Sequence, residues 1–150
     1  MGTSTFLYKY HVSECEFVSP GFAEYEQALK TVNCDIRYYE LSKERGFLLG
    51  EEYLESLQQD LDIVFLCNPN NPTGLLIPTE LLKKIVDICK EKQIFLVLDE
   101  CFLEFVSDEL MNPQKKLLKG MPNLFILKAF TKMYGMPGLR LGYGLCSDIP

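Results

Sequence analysis

The chain has 150 residues, with 15 Lys and Arg against 21 Asp and Glu, for a formal net charge of −6. Hydrophobic residues make up 47% and charged residues 24%, an ordinary globular balance for one core. The acidic excess argues against a nucleic-acid partner, which needs a basic footprint, and no apolar run is long enough for a membrane span. The start, MGTSTFLYKYHVSEC, has too short an apolar stretch for a secretory signal, so a cytoplasmic chain is expected.

In chain order, Glu16-Phe17-Val18 reads as a short extended piece that ends at the turn Ser19-Pro20-Gly21. Phe22 to Thr31 reads as a helix with Phe22, Tyr25, Ala28 and Leu29 on one stripe. Ile36 to Tyr39 is a strand and Glu51 to Gln58 a short helix. Ile63 to Cys67 is a fully apolar strand, bounded by the turn-rich Asn68-Pro69-Asn70-Asn71-Pro72-Thr73-Gly74. Pro78-Thr79-Glu80 opens the clearest helix, with Leu81, Ile85, Ile88 and Cys89 as its apolar face. Ile94 to Leu98 is another buried strand, stopping at Asp99-Glu100. A short amphipathic helix over 110–120, a strand over Leu124–Leu127 and a last strand over Leu141–Leu145 complete the pattern. Alternating strands and helices define an α/β fold, a mostly parallel sheet with helices on both faces, in a single domain.

Six cysteines, Cys15, Cys34, Cys67, Cys89, Cys101 and Cys146, contain no C-x-x-C pair, and His11 is the only histidine. Zinc or disulfide frameworks therefore have little support, and thiols inside apolar runs behave as small hydrophobes. With one histidine near a terminus, hydrolase triads lack a positioned base. No G-x-G-x-x-G or Walker A pattern occurs, which weakens a nucleotide-binding reading. Ligands of such sheets bind beyond the carboxyl ends of the strands. That rule directs attention to Asn68–Gly74, Asp99-Glu100 and the stretch after Leu127.

Those three stretches, NPNNPTG from Asn68, LVLDE with Asp99, and AFTKMYGMPGLRLGYG with Lys132 and Arg140, resemble in order and spacing the class I and II aminotransferases. These are fold type I enzymes that use pyridoxal 5′-phosphate (PLP). The similarity covers residues 15–148, and FTKMYGMPGLRLGY with SPGFAEYEQAL is most similar to the branch of histidinol-phosphate aminotransferases and threonine-phosphate decarboxylases.

The resemblance implies a role for each matching residue. Lys132 would hold PLP as a Schiff base and, once displaced by substrate, move the α-proton. Asp99 would pair with the pyridine nitrogen and keep the ring an electron sink; read alone, it is equally a turn or cap residue. Asn71 would donate to the ring's phenolic oxygen. Arg140 would clamp the phosphate, and its Gly and Leu flanks suggest a partly buried setting; alone it reads as a surface ion pair. Phe22 would stack on the cofactor ring, or else pack in the core on its helix stripe. Cis bonds are implied at Ser19–Pro20 and Asn71–Pro72.

Two positions depart from the family pattern. Phe102 stands where many aminotransferases carry a tyrosine bonding the phenolic oxygen, as in the decarboxylase branch. Ala129 stands where a serine often contacts the phosphate. Family members are more than twice as long, so residues 1–150 are expected to be a partial PLP-binding large domain, lacking the small C-terminal domain and the upstream phosphate loop. The expected function is chemistry at the α-carbon of a small or phosphorylated amino acid, by aminotransfer or decarboxylation, in a homodimer with no nucleic acid or membrane partner. The alternative is a non-catalytic piece that keeps the fold as a binding or structural unit.

Overall fold

A computed structural model describes residues 12–107 and 114–147. Six strands form one sheet in the order β2-β1-β3-β4-β5-β6. They are β1 (Glu14–Ser19), β2 (Asp35–Glu40), β3 (Ile63–Cys67), β4 (Phe95–Asp99), β5 (Leu124–Ala129) and β6 (Gly142–Leu145). The first five run parallel, and β6 returns antiparallel along β5, pairing Gly142 with Ala129. The helices are α1 (Ala23–Lys30), α2 (Thr79–Glu91) and the single turn α3 (Phe130–Met133).

Strand alternation divides the core between two faces. Val64 and Leu66 of β3, with Leu96 and Leu98 of β4, point to the α2 side, where Leu82, Ile85 and Cys89 meet them. Ile63, Phe65 and Cys67 point the other way, onto Tyr25 and Leu29 of α1. Each such side chain contributes about 1.5–3 kcal/mol through burial, so the all-buried β3 is the sheet's anchor. Both faces are therefore covered, as the alternating pattern predicts.

Several boundaries differ from expectation for local reasons. Glu51–Glu55 is a 3₁₀ turn rather than a helix, too short to sustain i→i−4 bonding. The predicted helix over 110–120 is a 3₁₀ segment at Gln114–Gly120, and 110–113 lie outside the described residues, as does His11. Pro78 sits just ahead of α2 rather than in its first turn, where its missing N–H costs nothing. The single-turn helix that carries Lys132 has too few residues to show a period, and the sequence did not announce it.

The family-implied cis bonds are both present, at Ser19–Pro20 and Asn71–Pro72, and a third occurs at Asn68–Pro69. Gly21 follows the first of these. A Cβ there would collide with the Val18 carbonyl and the Phe17 ring, so only glycine lets the chain turn from β1 into α1.

Candidate active site

Four parallel strands, β1, β3, β4 and β5, end on one rim, and each hands its next residues to a cavity of about 290 Å³. Phe22, Asn71, Asp99, Lys132 and Arg140, the five residues singled out from the sequence, all line it. They come from four separate segments, so only the fold brings them together. The positions of departure, Phe102 and Ala129, line it as well.

Asp99 ends β4 and is 7% exposed. Its Oδ1 accepts from the Cys101 main-chain N–H at 2.7 Å, and its Oδ2 accepts from the Tyr25 hydroxyl. A buried carboxylate needs such partners, and these two fix its orientation toward the cavity. Tyr25 is itself held by stacking on Phe65 at 5.3 Å and by an edge contact with Phe22 at 5.4 Å. Burial and the neighbouring Asp99 charge push the Tyr25 phenol well above its ordinary value, so it stays a donor. Reading Tyr25 as one more apolar stripe residue missed this role; its hydroxyl was the only available signal.

Phe22 lies just before α1 and is 39% exposed, with its ring at the cavity rather than in the core. The core-packing alternative for Phe22 is therefore set aside. The Asn68–Gly74 loop is braced by its other asparagines. Asn68 Oδ1 accepts from Ile77 N at 2.9 Å, and Asn70 Nδ2 donates to the Pro20 carbonyl and to Thr73 Oγ1, both at 3.1 Å. Gly74 closes the loop at φ +73°, donating to the Asn70 carbonyl at 2.7 Å. Asn70 thus joins the loop that presents Asn71 to the turn that presents Phe22.

Lys132 is exposed on α3, with Nζ 5.5 Å from the centre of the Phe102 ring. That separation suits a cation–π contact. The ring occupying the tyrosine's place thus steadies the amine without donating a hydrogen bond. Arg140 corrects an expectation. It is exposed, between Leu139 at 68% and Leu141 at 50% exposure, not partly buried. Its loop is tied to the start of α3 by the Phe130 N–H, which donates to the Leu141 carbonyl at 3.0 Å, and Arg140 itself adopts φ +50°. Arg140 nonetheless lines the cavity.

One buried ion pair lies beside the site and escaped the sequence reading. Lys128 of β5, 10% exposed, meets Glu100 Oε2 at 3.1 Å and Glu104 Oε1 at 2.8 Å. Burial opposes its charge, but Glu104 and Glu100 outweigh it and hold the ammonium above its ordinary value. Cys67, also at the cavity, is pushed up to about 12 by burial and by the Asp99 charge, so it is a neutral thiol there.

An α/β fold with one cavity lined by Lys132, Asp99, Asn71 and Arg140 has the residue types that a PLP-enzyme site needs. Comparison with known proteins agrees: the family model "Aminotransferase class I and II" matches residues 3–149, and the chain belongs to that family. The match begins at residue 3, upstream of the 15–148 span over which the motifs resemble the family. Threonine-phosphate decarboxylase of Salmonella typhimurium is 47% identical over 131 residues, covering 87% of this chain and 35% of that protein. The chain thus spans about a third of that relative's length. The crystal structure of histidinol-phosphate aminotransferase from Clostridium acetobutylicum superposes with TM-score 0.84 at 29% identity, over 97% of this chain and 43% of that one. A PLP-bound putative aminotransferase from Clostridium difficile shares the fold, with TM-score 0.85 at 22% identity, over 97% and 39% of the two chains. PLP is the cofactor of this family.

The donor set fits that group. Asp99 presents a buried, doubly hydrogen-bonded carboxylate of the kind a ring nitrogen requires. Phe22 presents an accessible aromatic face, Arg140 a cation for a phosphate, and Lys132 a primary amine for an aldehyde.

Proposed function

We propose that this chain supplies the cofactor-binding part of a PLP enzyme that acts at the α-carbon of a phosphate-bearing amino acid, of the threonine-phosphate decarboxylase or histidinol-phosphate aminotransferase type. The convergence of Lys132, Asp99, Asn71, Arg140 and Phe22 on one cavity carries this reading. The similarity to the Salmonella decarboxylase supports the substrate class.

When bound, PLP supplies an electron sink for a carbanion at the α-carbon. The protein's part is positioning and proton handling. Lys132 Nζ would hold the cofactor's aldehyde carbon and, when free, would serve as the acid or base that delivers a proton to the α-carbon or removes one from it. Asp99 would keep the ring nitrogen protonated, and Tyr25 and Cys101 keep Asp99 aimed. Asn71 would donate to the ring's phenolic oxygen, Phe22 would cover one ring face, and Arg140 would neutralise the phosphate, all three from the lining of one cavity. Phe102 lines the same cavity and would bring no hydroxyl to the phenolic oxygen.

In this proposal the chain lies within a PLP-binding large domain, and the protein works as a cytoplasmic homodimer. Free cysteines at all six positions suit a reducing compartment, and exposed Met133, Tyr134, Leu139 and Tyr143 offer apolar surface for association.

The test is incubation of the PLP-loaded chain with O-phosphothreonine and, separately, with histidinol phosphate and a keto acid. Carbon dioxide release from the first supports the decarboxylase type, and amino transfer in the second supports the aminotransferase type. Absence of both, with PLP bound, favours the alternative of a binding piece without turnover.

A further inference from the structure

Two thiols unrelated to the cavity lie in direct contact. Cys34 Sγ is 2.7 Å from Cys15 Sγ, nineteen positions away in sequence. Cys15 is the second residue of β1 and fully buried; Cys34 follows α1, is 8% exposed, and lies in the same apolar cluster.

Main-chain bonds, rather than side-chain packing alone, set this pairing. The Cys34 N–H donates to the Leu29 carbonyl at 3.3 Å, and the Asp35 N–H to the Ser13 carbonyl at 2.7 Å. The β1–β2 ladder then aligns Glu14 with Asp35 and Cys15 with Ile36. The Asp35 carbonyl accepts from Cys15 Sγ at 3.3 Å, which turns that thiol toward the end of α1. A disulfide holds its sulfurs about 2.05 Å apart, so the two sulfurs already lie within about 1 Å of bonding distance.

We propose that Cys15 and Cys34 are a redox pair that closes to a disulfide when the chain meets a small-molecule disulfide such as oxidised glutathione. The bond closes a ring over residues 15–34. That ring contains Phe22 and Tyr25, so the segment framing the cavity is locked between β1 and the turn before β2. The inference stands on the sulfur geometry and does not depend on the cofactor reading.

The exchange balances without another reactant. The Cys34 thiolate attacks one sulfur of the oxidised glutathione, forming a mixed disulfide and releasing one glutathione thiolate, which takes up a proton. Cys15 then gives up its proton, its sulfur attacks the Cys34 sulfur, and the second glutathione leaves. Two protein thiols lose two electrons and two protons in all, and one external disulfide becomes two thiols. Cys34 reacts first because it is the more exposed of the two, although burial raises its thiol as well. Burial holds the Cys15 thiol up more strongly, which makes the second step faster as pH rises.

The test incubates the full chain with oxidised glutathione under native conditions, followed by denaturation, alkylation of the remaining thiols and mass analysis. The result expected is a product two hydrogens lighter, with four of the six cysteines alkylated and one non-reduced peptide pair joining Cys15 to Cys34. Its thermal midpoint rises by several degrees, and dithiothreitol reverses the change. Cys15→Ala, with its far-UV circular dichroism matched to the parent, stops at a glutathione adduct on Cys34. Six alkylated cysteines, a cross-link between any other pair, a cross-link in Cys15→Ala, or a lasting Cys34 adduct in the parent chain would each overturn the proposal.

Discussion

The Tyr25 hydroxyl donates to Asp99 Oδ2, joining α1 to the tip of β4 across 74 positions of sequence. The bond serves two purposes. It satisfies a carboxylate that ends a buried strand, and it fixes which way that carboxylate faces. Tyr25→Phe keeps the ring stack on Phe65 and removes only the donor. The variant is expected to lose about 1.5–3 kcal/mol of stability, the usual cost of removing a hydrogen bond to a charged group, as read by urea unfolding. PLP binding should weaken in the same variant, measured by the cofactor's absorbance; unchanged values of both would show that Cys101 alone holds Asp99.

The Lys128–Glu100 pair is buried on both sides, at 10% and 1% exposure. Lys128→Met leaves the Glu100 charge without its cation and should cost about 3–5 kcal/mol in denaturant unfolding. Adding Glu100→Gln to that variant should recover most of the loss, because the isolated charge, rather than the missing bond, causes it. A double variant as unstable as the single one would place the cost in packing instead.

Glu16 gives a pH-dependent prediction. It is buried on β1, accepts from Ser56 Oγ at 2.9 Å, and burial raises its carboxyl above the ordinary range. A raised folded-state value means that ionisation costs more in the folded chain than in the unfolded one. Its stabilising contribution is therefore complete below the ordinary carboxylate range and falls away as pH rises through the raised value. Glu16→Gln should melt higher than the parent near pH 8, with the advantage shrinking toward about pH 4. A constant difference between the two proteins across that span would contradict the assignment.

Phe102 marks the departure most open to direct test. Its ring lies 5.5 Å from Lys132 Nζ. Phe102→Tyr adds one hydroxyl at the cavity and is expected to shift the visible band of the bound cofactor and to change its pH dependence. Stability should change by no more than about 0.5 kcal/mol, since a hydroxyl at the cavity reaches water. An unaltered spectrum would show that this ring does not face the phenolic oxygen.

Much of the fold could be read from the sequence because its signals are local. Val64 and Leu66 alternate with Ile63 and Phe65 in an apolar run five residues long, and the helix opened by Pro78 repeats its apolar side chains every three to four positions. The five site residues were accessible through motif resemblance, and the fold places all of them on one cavity. What escaped were relationships between distant residues of ordinary type. Tyr25 looked like a stripe residue, and Lys128 like any strand lysine; Asp99 is brought to Tyr25 by the packing of α1 on the sheet, and Glu100 to Lys128 by the β4–β5 register. Arg140 failed in the other direction. Glycine and leucine flanks suggested burial, but a loop leaving the sheet rim exposes apolar residues too.

The most direct test of the cofactor site is the visible absorption spectrum of the purified chain with PLP, before and after borohydride, beside Lys132→Ala. A yellow band in the parent, fixed by borohydride as a cofactor-bearing peptide containing Lys132 and missing from the variant, is the predicted result. A parent spectrum equal to that of Lys132→Ala, or fixation on another lysine, would contradict the account.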